Sequence, residues 1–237
     1  MTAIMHDRPI DLGVTIPTPD AEIEADWSIP LHAKGAVILA NGTGNSRFHR
    51  RNREVARALY EGGYATLLVD LLTHEEELED TLTGVFQVNV NLQTERLTAA
   101  AEWAKSEIGD LPVGILASGV ASGAAIVVAV RQRGLISAIV SRGGRPDLAA
   151  IDLHRLTIPT LLITGSRDSR IFELNRWALR RMKGEGRIAV IPGASHLFEE
   201  PGALDEMCSL AIRWFDEHMQ PVQFSLPYLR LSHSWAS

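Results

Sequence analysis

Val113–Val130 reads VGILASGVASGAAIVVAV. A short apolar run passes through Ala, Ser and Gly into a second apolar run long enough for a buried helix. The stretch predicts a core strand turning sharply into a helix. Such a turn can carry a nucleophilic serine at its apex, in the pattern small-x-Ser-x-small. Neither Ser118 nor Ser122 has small residues at both flanking offsets. The residue that does, within Ala117-Ser118-Gly119-Val120-Ala121, is Gly119, which has no side chain.

Outward from this turn, strand-like and helix-like segments alternate. Upstream, residues 9–32 mix alternation with turn residues, as in a β-hairpin or meander. Strands are predicted at 35–40 (GAVILA) and 64–72, with a helix over 51–63 between them. The acidic stretch LTHEEELEDTLTG, 72–84, reads as a loop or irregular segment, and 92–107 as a helix. Downstream of a helix at about 121–132, strands are predicted at 136–144, 159–168 and 187–196, and helices at 173–182 and 204–219. Continuous apolar strands alternating with helices point to an α/β fold, with a mostly parallel central sheet and helices on both faces. Residues 1–220 are expected to form a single domain, and 221–237, rich in aromatics and leucines, a C-terminal appendage.

The bulk composition narrows the function classes. The chain has 237 residues, 46% of them hydrophobic, and a formal net charge of −6. That charge argues against nucleic acid and against an anionic membrane as partners. No run approaches the roughly 18 apolar residues of a membrane span, and the N-terminus lacks a signal-peptide core. A cytoplasmic location is therefore expected. The single cysteine, Cys208, excludes an internal disulfide and reads as a small apolar filler. The apolar tail is a candidate surface for self-association.

Ligands of open α/β sheets bind beyond the carboxyl ends of the strands. Two residues there form a suggestive pair: Asp168, just past LLITG, and His196, just past VIPGAS. In this order an orienting acid and a general base are expected. Arg142 and Arg145 also lie past a strand end. They are candidates to hold a substrate carboxylate, or to pair with Asp147 or Asp168. The GTGNS stretch lacks the Lys-Ser/Thr ending of a phosphate loop. His74 has no second histidine at helical spacing, so no metal site is expected.

Several segments together resemble a known family: ILANGTGNSRFHRRNREVARAL, ATLLVDLLT, the 113–130 turn, IVSRGGRPDLA, PTLLITGSRD and VIPGASHLFEEPGAL. Over roughly residues 35–217 the chain is similar to the α/β-hydrolase superfamily, in particular to its small members resembling dienelactone hydrolase. The resemblance implies the α/β-hydrolase fold, a small ester, lactone or related carbonyl substrate, and no cofactor. It makes Asp168 and His196 the acid and base. It places the oxyanion hole at the N–H of Val120 and in the loop after the first core strand, at Gly42 and Thr43. Two departures stand out. Asn41 replaces the histidine that usually opens this loop, and is a candidate substrate-binding residue with Arg142. Gly119 occupies the nucleophile position.

Three readings follow. An enzyme can use the His-Asp dyad without a covalent serine, as a hydrolase, lyase or cyclase. A non-catalytic relative can keep the fold as a ligand-binding or interaction module. A serine hydrolase is the third reading, with its nucleophile at Ser118 or Ser122, or with a serine at 119 replaced in the laboratory.

Overall fold

A computed structural model describes residues 11–41 and 47–220. Eight strands form one sheet in the order β1-β2-β4-β3-β5-β6-β7-β8. The strands are β1 (Leu12–Pro17), β2 (Glu22–Ser28), β3 (Ala36–Ala40), β4 (Ala65–Val69), β5 (Val113–Ser118), β6 (Ala138–Arg142), β7 (Thr160–Gly165) and β8 (Gly186–Ile191). The β1–β2 hairpin pairs antiparallel and β2 joins β4 antiparallel, while all pairings from β4 to β8 are parallel.

The helices are α1 (Arg50–Glu61), α2 (His74–Thr83), α3 (Val90–Ile108), α4 (Ala121–Arg131), α5 (Ser169–Leu179) and α6 (Ala203–His218). The two-residue period of the strands divides the core between the two faces of the sheet. Ile38, Ala40, Ile115 and Ala117 pack with α3 and α4. Val37, Leu39, Leu116 and Val140 pack with α1 and α6. Covered on both sides, β3 to β7 need no polar alternation and are buried throughout. The α4 helix is buried from Ala121 to Val130 and is correspondingly apolar all round.

The architecture matches the expected α/β-hydrolase arrangement. One element differs from the sequence reading: the acidic stretch expected to be irregular is the helix α2. Its apolar residues do not reveal it, because Leu78 and Leu82 are exposed. Capping stabilises it instead. Thr73 Oγ1 accepts from the Glu76 N–H, and the Thr73 N–H donates to Glu76 Oε2 at 2.8 Å, a reciprocal capping box. Glu75, Glu76 and Glu77 lie in the first turn, where the helix dipole favours anions. Gly84 closes the helix in the left-handed conformation.

A buried cation ties this helix to the body. Arg96 of α3 is fully buried and donates to both carboxylate oxygens of Glu76, to Asp20 Oδ2 at 2.9 Å and to the Leu71 carbonyl. These bonds hold both carboxyl groups below the usual carboxylate range. Among the described residues no helix is long and apolar enough to cross a membrane. The tail, 221–237, lies outside the described residues.

Candidate active site

Gly119 follows directly on β5 and adopts φ +55°, the left-handed conformation that a strand-to-helix apex requires. Its carbonyl accepts from the Arg145 N–H at 2.9 Å, which fixes the turn against the loop after β6. Val120 is the N-cap of α4. Its N–H therefore lies at a helix start, where amides have no partner within the helix. Both flanking alanines, Ala117 and Ala121, are fully buried.

Neither neighbouring serine stands at the apex. Ser118 is buried, and its Oγ donates to Asn41 Oδ1 at 3.4 Å. Ser122 is fully buried, and its Oγ donates to the Ala117 carbonyl at 3.2 Å. Gly42 and Thr43, the loop positions implied for the oxyanion hole, lie outside the described residues.

The acid and base meet across 28 residues of sequence, with Asp168 Oδ2 2.6 Å from His196 Nδ1. The other oxygen of Asp168, Oδ1, accepts from the Ile171 N–H at 3.3 Å and caps α5. Helix capping thus fixes the carboxylate that orients the imidazole. The two turns are also bound to each other. The Arg167 N–H donates to the Ala194 carbonyl at 3.0 Å, and the Gly193 N–H to Ser166 Oγ at 2.8 Å. The Ser195 N–H is held at 3.0 Å by the Glu200 carboxylate, and this bond keeps Glu200 below the usual carboxylate range. The His196 side chain is half exposed while Asp168 is largely covered, so the ring has an open edge for a substrate or water.

Three further residues shape this site and were not legible in the sequence. Gly143 has φ +53°, and a Cβ there would stand 3.2–3.4 Å from the His196 carbonyl oxygen, Cε1 and Nδ1. Arg51, at the start of α1, donates to the Leu197 carbonyl at 3.1 Å and so grips the turn that bears His196. Phe198 has φ +57°, a strained conformation for a bulky side chain, and its ring is anchored in the core beside α6. A double glycine after a strand is the sole signal the sequence offered for any of them.

The two candidate arginines separate. Arg145 pairs with Asp147 through two bonds of 2.8 Å, the structural alternative for that residue. Arg142 has no carboxylate partner among the described residues. It is 5% exposed, and its Nη2 donates to Asn41 Oδ1 at 3.4 Å and Asn52 Oδ1 at 3.3 Å. Burial and the adjacent Arg51 lower its pKa to about 10. Burial conversely pushes the Cys208 thiol up to about 12, which makes it a poor nucleophile. Among the described residues, Glu185, Glu217 and His218 come close enough to hold a metal ion. Arg187 already bonds both of those carboxylates.

Known proteins agree with this architecture. Similar solved structures include a dienelactone hydrolase from Anabaena variabilis, 40% identical, with a TM-score of 0.86 over 90% of this chain and 99% of that one. They also include an alpha-beta serine hydrolase homologue from Coxiella burnetii, 18% identical, with a TM-score of 0.70 over 85% of this chain and 96% of that one. The latter likeness is one of fold. Among curated proteins, a protein of Mycobacterium tuberculosis provisionally named a phosphoribosyl transferase is 41% identical over 90% of this chain. The chain spans about half, 48%, of that relative's length. The model of the dienelactone hydrolase family matches residues 23–212, most of the chain, and the chain belongs to that family.

Proposed function

We propose that this chain is an acid–base enzyme of the α/β-hydrolase type that works without a covalent serine. The observation that carries the proposal is the Asp168–His196 contact of 2.6 Å, in a chain whose strand-to-helix apex residue, Gly119, has no side chain. His196 draws a proton from water, and the water oxygen attacks the carbonyl carbon of a small ester or lactone. The N–H at Val120 meets the developing oxyanion. Collapse expels the alkoxide, which takes the proton back from His196, so that each water consumed gives an acid and an alcohol from an ester, or one hydroxy acid from a lactone. Asp168 keeps the imidazole in the tautomer that leaves Nε2 free to accept.

Turnover of an ester and lactone panel tests this. Wild type is expected to turn over without a burst, and H196A and D168N to lose activity by about a hundredfold or more. An H196A variant as active as wild type would overturn the proposal. The missing apex oxygen favours a second reading, a binding module that has kept the pocket. Saturable ligand binding with no turnover anywhere in the panel would select it. The transferase name belongs to relatives of which this chain spans 48%, and it is not carried over to this chain.

A further inference from the structure

Three loops meet at the amino ends of β6, β7 and β8, the end of the sheet opposite His196. One leaves α4 for β6, the second runs through a short 3-10 turn, Leu153–Arg155, into β7, and the third joins α5 to β8. Between them lies a cleft of about 490 Å³, within the size range of small-ligand sites. The six residues of β7, at about 3.3 Å each, place it roughly 20 Å from the Asp168–His196 pair.

Each loop contributes one exposed cation to the lining: Arg133, Arg155 and Lys183. No acid lines the cleft, in a chain whose formal net charge is −6. The side chains of Arg133 and Lys183 have no ion pair or hydrogen bond among the described residues. The neighbouring acids are engaged elsewhere. Asp152, largely buried, faces Arg155 at 3.5 Å, and Glu185 pairs with Arg187 at 2.7 Å. Nor does the helix dipole account for Arg133, because α4 carries Arg131 in its own last turn. Like charges gathered around a concavity repel one another, and a bound anion removes that repulsion.

Backbone contacts hold the walls in place. The Gly184 N–H donates to the Leu156 carbonyl at 2.8 Å, and the Thr160 N–H to the Glu185 carbonyl at 2.9 Å. A Cβ at Gly184 would stand 2.5 Å from the Thr157 carbonyl oxygen, so the second and third loops are in direct contact. Ala129, Val130 and Ile158 add apolar lining between the cations. The guanidinium fork and the ammonium group both bind phosphate oxygens, and an apolar wall suits the organic part of a ligand. Three separate cations match several phosphate groups better than one.

We propose that this cleft is a binding site for a small organic polyphosphate, remote from the His196 site. The proposal does not rest on the catalytic reading.

Calorimetric titration of the full chain with ATP, pyrophosphate and citrate, in about 0.15 M sodium chloride, tests the site. ATP is expected to bind saturably at one site per chain, and more tightly than pyrophosphate, which has no apolar part. Citrate is expected to bind more weakly than ATP. The double variant R133Q/K183Q changes exposed side chains without ion pairs, so its fold is expected to survive. Its ATP affinity is expected to fall about tenfold or more. R50Q removes an exposed cation on α1, across the sheet, and is expected to bind as wild type does. No saturable ATP binding, an unchanged affinity in R133Q/K183Q, or an equal loss in R50Q would overturn the proposal. Citrate binding more tightly than ATP would overturn the assignment to phosphate. H196A is expected to keep the ATP response, so this test is separate from that of the catalytic reading.

Discussion

A methyl group on Gly143 would stand 3.3 Å from Cε1 and 3.4 Å from Nδ1 of His196. The imidazole therefore rests on bare backbone at the end of β6, and the position one residue after Arg142 sets how deep the ring sits. The G143A variant is expected to lose about 1–3 kcal/mol of stability from its left-handed φ, and to push the ring off Asp168. Denaturant unfolding measures the first effect and the ring NMR signals of His196 the second. Unchanged ring signals would show that the contact does not position the base.

Gly119 is the corresponding test at the elbow. Wild type is expected to resist a serine-directed phosphonate, since Ser118 and Ser122 bond elsewhere. G119S is expected to become labelled at the new hydroxyl, with a stability cost of about 1 kcal/mol for a side chain at φ +55°. Mass spectrometry of the labelled peptide decides the case. Adducts on Ser118 or Ser122 of the wild type would make this a serine hydrolase with a shifted elbow.

The two oxygens of Asp168 allow its roles to be separated. D168A loses both the His196 contact and the α5 cap, and is expected to unfold about 1 kcal/mol more easily. In D168N the cap survives, because Asn serves nearly as well as Asp at that position. Its Tm is expected to stay near that of wild type while turnover falls as in D168A. A comparable loss of stability in both variants would mean that the dyad contact, more than the cap, supports the fold.

The Arg96 clamp predicts an acid limb of instability. Bonds to Arg96 depress the folded pKa of Glu76 and Asp20. Groups depressed in this way add stability above the ordinary carboxylate range, roughly pH 4, and that stability is lost as pH falls through their folded values. R96M is expected to cost about 2–3 kcal/mol near neutrality, the partial exposure of both acids tempering the loss of a buried pair. Urea unfolding across that pH range should show a shallower acid decline in R96M than in wild type. Identical slopes would remove Arg96 from the acid response.

Part of this structure was written in local sequence. Runs such as AVILA and VGILAS, short and bounded by turn residues, read as strands covered on both faces, and Gly119 stands between Ala117 and Ala121 at the strand-to-helix turn. Asp168 and His196 could be named because each follows directly on a strand, and strand ends are where such sheets gather their polar groups. The α2 helix was partly legible as well, in Thr73 and Glu76, but an acidic run with exposed leucines carries no apolar period to announce it.

What the sequence left open depends on contacts between residues far apart in the chain. Arg51 reaches the Leu197 carbonyl across 146 positions, and Arg142 reaches Asn52 across 90. No local pattern distinguishes an arginine that pairs with its neighbour, as Arg145 does with Asp147, from one that is buried with no carboxylate partner among the described residues, as Arg142 is. The difference is one of burial. It was settled only when the crossovers stacked β5 and β6 under α1 and α6, and took from Arg142 the water that an exposed guanidinium would have kept.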